Sequence, residues 1–244
     1  MRRDLKIILS TVAMAGLWTG GSRVAEAVSA LDTFRVTNVE IVGLESVERG
    51  EILALLEVTQ ESSVWSDLGT WEDRLARHPL LKDARVHRRI PGTLVVDLEE
   101  RRAVALAPTP ILAPVDREGV LLPLDPAERR LDLPILATRE LPAPGARLLP
   151  TADRVLAGEV ARLMEADTSF LQMVSEVGWG EDGKTLVVRW SEPAVVFLFA
   201  PGAPPRRLRE GLTALADAMG RDPGNLPAVI DLRYADQVLV RLNP

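Results

Sequence analysis

Residues 83–100, DARVHRRIPGTLVVDLEE, contain two runs of alternating apolar and polar residues on either side of a Pro-Gly step. Alternation with a period of two is typical of β-strands that bury one face. The stretch therefore predicts a β-hairpin whose apolar face belongs to the core of a small domain. The apolar positions of the two runs are Ala84, Val86, Ile90, Leu94, Val96 and Leu98.

The length of the loop sets the predicted pairing of this hairpin. A three-residue loop, Pro91 to Thr93, makes apolar residues face each other, whereas a two-residue loop would oppose apolar to polar residues. Each charged pair that results on the outer face is worth about 0.2–1 kcal/mol. Arg88 falls on the inner face, at its rim. The predicted pairs are Ile90 with Leu94, Val86 with Leu98, Arg85 with Glu99 and His87 with Asp97.

The residues before the hairpin predict one strand and two helices. The run FRVTNVEIVG, residues 34–43, is typical of a strand. Ser46 is predicted to cap the first helix and Thr70 the second, because hydroxyl side chains accept hydrogen bonds from a helix's first amides. Trp71 and Leu75 lie one turn apart and are predicted to reach the core. The order strand, helix, helix, strand, strand predicts a compact α+β unit with helices on one face of a small sheet.

The rest of the chain predicts a second, β-rich unit. Short strands flank a turn at Asp116 to Gly119, and the Pro-rich residues 124–150 are predicted to form a loop. Thr151 is predicted to cap a helix, and a later helix is predicted to end at Gly220. Three strands lie between these helices, within FLQMVSEVGW, KTLVVRW and AVVFLFA. The last two predicted strands are AVIDLRY and QVLVRL.

Composition excludes several classes of function. The chain has 244 residues, 47% hydrophobic and 26% charged, so it can build a proper core. A net charge of −6 and the lack of a concentrated basic stripe argue against a general nucleic-acid binder. Without Cys there are no thiolate nucleophiles or Cys-ligated metals. With His78 and His87 on different predicted elements, a His-rich metal site is excluded.

The segment GWGEDGKT, Gly178 to Thr185, matches the phosphate-loop pattern G-x-x-x-x-G-K-[ST]. A phosphate loop needs a helix that starts inside it, so that free amides point at the phosphates. Here a strand pattern comes next, and Glu181 and Asp182 would oppose phosphate. The segment therefore predicts a hairpin turn, with no nucleotide and no cofactor bound.

No catalytic constellation stands out elsewhere in the sequence. Glu99 and Glu100 point to opposite faces of a strand, so they cannot act as an acid–base pair. Asp116 and Glu118 lie in a turn, where solvation is expected. Ser191 has no nucleophile-elbow pattern around it.

The first thirty residues predict export of the remainder of the chain. Arg2, Arg3 and Lys6 precede an apolar run from Ile7 to Trp18, which indicates a cytoplasmic N-terminus. The run is short against the ~20 residues of a membrane span. Both an uncleaved anchor and a cleaved signal peptide fit this pattern.

Several motifs, in order, resemble the FtsQ/DivIB cell-division family. The hairpin is similar to the family pattern V-x-R-x-x-P-x-x-L-x-I-x-V-x-E-R-x-P-V-A, although Ala103 stands where the family has Pro. PVDREGVLLPL resembles the family's Asp-x-x-Gly hairpin, and LDLPIL its Leu-Pro step. The ending AVIDLRYADQVLVRL is similar to the family's closing segment, including Asp231, Leu232, Arg233 and Tyr234. The matched hairpin residues are Val86, Arg88, Pro91, Leu94, Val96, Leu98, Glu100, Arg101, Val104 and Ala105.

The resemblance implies a domain plan. Residues 1–6 would be a short cytoplasmic tail, and residues 7–30 an uncleaved transmembrane anchor with a juxtamembrane helix. Residues 31–101 would form a POTRA domain of order β-α-α-β-β. Residues 102–244 would form a mixed-sheet, β-rich domain with flanking helices.

The resemblance also implies a function. Such a protein is a non-enzymatic scaffold of the divisome at the septum, in the inner membrane, with its bulk in the periplasm and other divisome proteins reached through the POTRA domain. In the family, the C-terminal strand region binds FtsB, which brings FtsL. Here QVLVRL alternates, and a terminal edge strand leaves backbone groups unpaired for strand addition. The candidate contacts are Arg233, Tyr234, Gln237, Val238, Leu239, Val240 and Arg241.

A second function remains open at this point. POTRA domains also occur in proteins of outer-membrane transport and assembly, so an exported POTRA protein acting there is the alternative. A transport protein of this kind should bind unfolded clients, whereas a division scaffold should bind FtsB-like partners.

Overall fold

The computed structural model describes residues 32–143, 145–222 and 226–242. Contacts divide the chain into two units, one ending at Glu100 and one beginning at Arg101. The predicted cytoplasmic tail (1–6) and anchor (7–30) lie outside the described residues. Within those residues, no helix combines the length and apolar character that crossing a bilayer requires.

The first unit has the predicted order β-α-α-β-β and builds one three-stranded sheet. Strand β3 is central, parallel to β1 and antiparallel to β2. Its core includes Trp71 and Leu75, which are buried as predicted. The elements are β1 (Asn38–Val42), α1 (Arg49–Leu56), α2 (Leu68–Leu75), β2 (Leu81–Arg89) and β3 (Thr93–Glu100).

Both predicted helix caps in this unit are wrong. Helix α1 begins at Arg49 after Glu48, and no side chain caps it. Helix α2 is capped by Asp67, whose carboxylate accepts from the Gly69 amide at 3.1 Å. Carboxylate and hydroxyl side chains are comparable caps, so local sequence did not rank Asp67 above Thr70.

The hairpin is also shifted from its predicted pairing. Arg89 lies opposite Thr93, so the loop has three residues as predicted but spans 90–92, and Ile90 is exposed. The loop is held from outside the hairpin, because Gly92 O accepts from the amides of Thr37 (2.8 Å) and Asn38 (3.2 Å). The hairpin sequence alone does not predict this contact, because it involves a distant part of the chain at the start of β1.

The shifted pairing gives Arg88 a defined place on the inner rim. It lies opposite Leu94, and its guanidinium donates to Val64 O at 2.5 Å and Ser66 O at 2.9 Å. The same guanidinium lies 5.8 Å from the ring centroid of Trp65, within cation–π range. Arg88 therefore joins the hairpin to the loop before α2.

Glu100 links the end of β3 to the loop before α1. Its carboxylate accepts hydrogen bonds from the Glu45 amide (2.8 Å), the Ser46 amide (2.9 Å), the Val47 amide (3.1 Å) and the Ser46 hydroxyl. Burial raises the pKa of Glu100, but these hydrogen bonds outweigh it and leave the pKa below its usual value. Ser46 is thus committed to Glu100, which explains why it does not cap α1.

Glu100→Gln should destabilise the first unit by about 2 kcal/mol, because an amide offers one acceptor to a loop that presents several donors. Urea unfolding, followed by hydrogen exchange of peptides from β3, measures the loss. Glu99→Gln is the matched control, since Glu99 is exposed and pairs with Lys82 at 2.6 Å. That change should cost less than about 1 kcal/mol. Equal effects of the two variants would show that the loop does not depend on Glu100.

The second unit builds one mixed eight-stranded sheet in the order β11-β10-β9-β8-β7-β6-β4-β5. Helix α3 contacts β4 to β7, and helix α5 contacts β10 and β11. The strands are β4 (Ala103–Ala107), β5 (Ala113–Asp116), β6 (Ile135–Ala137), β7 (Val174–Trp179), β8 (Leu186–Trp190), β9 (Val195–Phe199), β10 (Pro227–Asp231) and β11 (Leu239–Leu242). The helices are α3 (Thr151–Ala166), α4 (Thr168–Gln172) and α5 (Pro205–Arg221).

Several local predictions for this unit are wrong. The predicted loop 124–150 contains β6, which pairs with both β4 and β7 and buries Leu136 completely. A three-residue strand within a Pro-rich segment carries too short a pattern to detect. The first residues of FLQMVSEVGW, which were predicted to be part of a strand, belong to the short helix α4. Thr151 lies inside α3 rather than at its cap, and α5 continues through Gly220.

Asp116, which was predicted to be solvated in a turn, is buried. Its carboxylate pairs with Arg101 Nη1 at 2.5 Å and accepts from the amides of Glu118 (2.9 Å) and Val120 (2.8 Å). The pairing with Arg101 and the turn amides compensates the burial of the charge. Asp116 therefore stabilises the turn after β5.

Candidate functional site

Strand β11 is the outermost strand of the eight-stranded sheet. It pairs antiparallel with β10, and no strand among the described residues lies beyond it. Its apolar side chains are unusually open, with exposed fractions of 39% for Leu239, 39% for Val240 and 49% for Leu242. An edge strand of this kind presents a row of backbone groups to any chain that can pair with it.

The pairing of β10 shows which backbone groups of β11 point outward. The Leu232 amide donates to Leu198 O at the end of β9, with a distance of 2.7 Å. Because backbone groups alternate in direction along a strand, Ile230 also faces β9, and Asp231 faces β11. Leu239 lies opposite Asp231 and points its backbone groups back at β10. The backbone groups of Val240 consequently point away from the sheet.

Asp231 anchors the connection that leads from β10 to β11. Its side chain is completely buried, yet it is charged and paired with two arginines. Arg233 binds it with two hydrogen bonds, Nε to Oδ1 at 2.9 Å and Nη2 to Oδ2 at 2.6 Å. Arg241 of β11 approaches Oδ2 at 3.4 Å. This carboxylate therefore links the β10–β11 connection to β11 itself.

The charges of this cluster shift each other's titration. Hydrogen bonds from the Arg233 side chain are the main cause that lowers the pKa of Asp231, against an opposing effect of burial. The same contact raises the pKa of Arg233. Both groups are therefore held in their charged forms.

Tyr234 projects from the connection between β10 and β11. Its ring centroid lies 5.9 Å from the Arg233 guanidinium, and 44% of the residue is exposed. A partly exposed Tyr beside an Arg is a common anchor of protein interfaces. We call Tyr234 and β11 together the docking surface.

Similarity to known proteins extends over nearly the whole chain. Residues 34–101 match the family model described as POTRA domain, FtsQ-type. A protein named Cell division protein FtsQ from Rhodothermus marinus is 29% identical over 96% of this chain and 83% of its own length. One of the same name from Geobacter sp. (strain M21) is 29% identical over 93% of this chain and 83% of its own length.

The chain belongs to the FtsQ-type family of cell-division proteins. A third relative of the same name, from Novosphingobium aromaticivorans, is 25% identical over 97% of this chain and 70% of its own length. The similarity therefore covers most of the β-rich unit as well as the POTRA domain.

The predicted contact residues of this FtsQ-type chain fall into two groups. Leu239, Val240 and Arg241 lie in β11, whereas the others lie on the connection that leads to it. The Arg233 guanidinium is turned toward Asp231 and remains 34% exposed. The structure thus brings all the predicted residues to one edge of one sheet. The connection residues are Arg233, Tyr234, Gln237 and Val238.

Two residues of this site were not predicted from the sequence. The sequence indicates Asp231 only as part of the ending that resembles the family, and it gives no reason to single out Arg207 of α5, which donates to Leu232 O and Gln237 O. The sequence gives little sign of either residue, because a charged residue that becomes buried cannot be distinguished from a surface one by the sequence alone. The alternating pattern of β10, with Asp231 directly after Ile230, gives no warning that both are fully buried.

The phosphate-loop match is a hairpin turn between β7 and β8, as predicted. The Asp182 carboxylate accepts from the Lys184 amide (2.9 Å), the Thr185 amide (2.8 Å) and the Thr185 hydroxyl (2.6 Å). The Thr185 hydroxyl and the two amides lower the pKa of Asp182 to about 2. Gly183 adopts a φ of 65°, which favours glycine. The amides that a phosphate would need are occupied by this carboxylate.

Proposed function

We propose that the protein is a non-enzymatic, bitopic scaffold of the divisome that binds an FtsB/FtsL-like partner by strand addition to β11. It would reside in the inner membrane at the septum, with a cytoplasmic N-terminus and its bulk in the periplasm. The observation that carries the proposal is the position of β11 at the open edge of the sheet, with outward backbone groups and exposed apolar side chains.

The two edges of the POTRA sheet offer a useful contrast. On β2, the Val86 amide is bound by the Glu72 carboxylate at 2.9 Å. On β1, Val39 O is bound by Arg49 Nη2 at 2.6 Å. Side chains that occupy edge groups discourage strand addition. This supports β11 as the docking edge and counts against strand addition of a client along the POTRA edges.

The side chains of the docking surface indicate the chemistry of the partner. Leu239, Val240 and Leu242 favour a partner strand with apolar residues, and Arg241 at the same edge favours an acidic one. Backbone pairing supplies affinity in this binding mode, while side chains supply specificity. A short β-strand segment with apolar and acidic residues therefore fits the docking surface.

Capture from membranes tests the proposal. The full-length chain, solubilised in mild detergent, should retain FtsB- and FtsL-like proteins from membranes of the same organism. It should not retain unfolded outer-membrane proteins added in excess. Retention of the unfolded clients, with no division protein bound, would contradict the proposal and support the transport alternative.

Tyr234→Ala should weaken the binding of the FtsB-like partner about tenfold, because truncating an aromatic interface anchor removes contact area that surrounding residues cannot replace. Binding is measured by biolayer interferometry with the full-length chain immobilised. Tyr234→Phe is the matched control, since it keeps the ring, and should bind within about twofold of the unaltered chain. Unchanged affinity of Tyr234→Ala would remove Tyr234 from the docking surface.

A further inference from the structure

Arg207 lies in the first turn of α5, and only 4% of the residue is exposed. A buried arginine is rare unless its donors are paired. Its Nη2 donates to Gln237 O at 2.8 Å and to Leu232 O at 3.3 Å, and its Nε donates to the same Leu232 oxygen at 3.3 Å. Its Nη1 pairs with Glu210 on the same helix.

The two carbonyl groups bound by Arg207 lie at opposite ends of the β10–β11 connection. Leu232 follows β10 directly, and Gln237 lies two residues before β11. One planar guanidinium thus joins the entry and the exit of the segment that carries Arg233 and Tyr234. The fork of donors on an arginine can span two acceptors in a way that a single ammonium cannot.

The surrounding packing keeps α5 close to this connection. A Cβ placed on Gly211 would lie 2.6 Å from Leu232 Cδ1, so the Leu232 side chain packs directly against α5 at this position. The approach brings Arg207 within reach of both carbonyl groups. Arg206 and Arg209 lie on the exposed side of the same helix.

We infer that Arg207 is a positioning residue, which fixes the connection between β10 and β11 and so presents the docking surface in its binding-competent form. The inference rests on the proposed function, because it assigns Arg207 a role in partner binding without contact to the partner. Loss of the guanidinium should free the connection, while the rest of the sheet keeps its own hydrogen bonds.

Hydrogen exchange of the full-length chain in detergent tests this role directly. Arg207→Met should accelerate exchange in residues 233–242 about tenfold and leave β7 to β9 within about twofold of the unaltered chain. The same variant should bind the FtsB-like protein about tenfold more weakly, mainly through faster dissociation. Arg209→Met, an exposed arginine of the same helix, is the matched control and should change neither quantity.

Arg207→Lys serves where Arg207→Met fails to fold. It keeps the charge but offers a point donor instead of a fork, so exchange in residues 233–242 should still rise. Unchanged exchange of residues 233–242 in the Arg207 variants would overturn the inference, and so would an equal rise of exchange throughout the β-rich unit. Faster exchange with unchanged partner affinity would overturn it as well. If the unaltered chain captures no FtsB-like protein, the proposed function fails, and the exchange pattern alone still decides whether Arg207 holds the connection.

Discussion

Val240→Pro is expected to weaken partner binding about a hundredfold while leaving the β-rich unit folded. The Val240 amide points away from the sheet, so proline at this position removes no hydrogen bond between β11 and β10. It does remove the outward donor that an added strand needs, and its ring occupies the space of the incoming backbone. Losing the bond and leaving a buried carbonyl unpaired together cost about 3 kcal/mol. This corresponds to about a hundredfold loss of affinity.

Val240→Ala separates the backbone from the side chain. Alanine keeps the amide, so its affinity should fall by less than about tenfold, through the loss of apolar contact alone. Circular dichroism and thermal unfolding of the full-length chain verify that both variants are folded. Equal affinities of the Pro and Ala variants would show that the Val240 amide is not part of the interface.

Arg233→Met is expected to lower the free energy of unfolding of the β-rich unit by about 3 kcal/mol, although Arg233 lies at the surface. Among the described residues, the change leaves the fully buried Asp231 with Arg241, at 3.4 Å, as its remaining charged partner, and a buried carboxylate with weakened compensation is costly. Asp236→Asn, in the exposed part of the same connection, is the control and should cost less than about 0.5 kcal/mol.

A double variant sharpens this test. Asp231→Asn removes the buried charge. This substitution should therefore cost much less free energy of unfolding in the Arg233→Met chain than in the unaltered chain. Urea unfolding gives the free energies of unfolding of the unaltered chain, the two single variants and the double variant. Hydrogen exchange follows residues 227–242 in each. Strictly additive effects would contradict a direct interaction between the two side chains.

The same cluster predicts a dependence of stability on acid. The pKa of Asp231 is lowered in the folded protein, so its stabilising contribution is complete above the ordinary value of 3.8. It is lost as the pH falls through the lower folded pKa. In Arg233→Met the pKa of Asp231 in the folded protein should be higher. The loss of stability that protonation of Asp231 causes below pH 3.8 should therefore shrink or disappear.

Patterns of hydrophobicity predicted the architecture well for physical reasons. Strands that bury one face, such as β2 and β3, must alternate, and α2 must place Trp71 and Leu75 on one side. The alternation of residues 237–242 predicted the final strand of the described residues, whereas its place at the sheet edge was assumed and is found in the structure.

Patterns of hydrophobicity did not predict contacts between residues that are distant in the sequence. The hairpin pairing depends on Gly92 meeting Thr37, and β6 is stabilised by its neighbours β4 and β7 rather than by its own short sequence. Next to the docking surface, Arg207 donates to Gln237 O, a residue 30 positions away in the sequence. Such pairs depend on which elements fold next to each other, and a single sequence does not show that.

Amide exchange at β11, resolved residue by residue by NMR, tests strand addition most directly. Binding of the FtsB-like partner should strongly slow exchange of the outward Val240 amide and of the Leu242 amide, which points the same way because backbone groups alternate along β11. The Leu239 and Arg241 amides, which already face β10, should change much less. Partner binding that leaves the Val240 and Leu242 amides as fast as in the free protein would contradict docking at this edge.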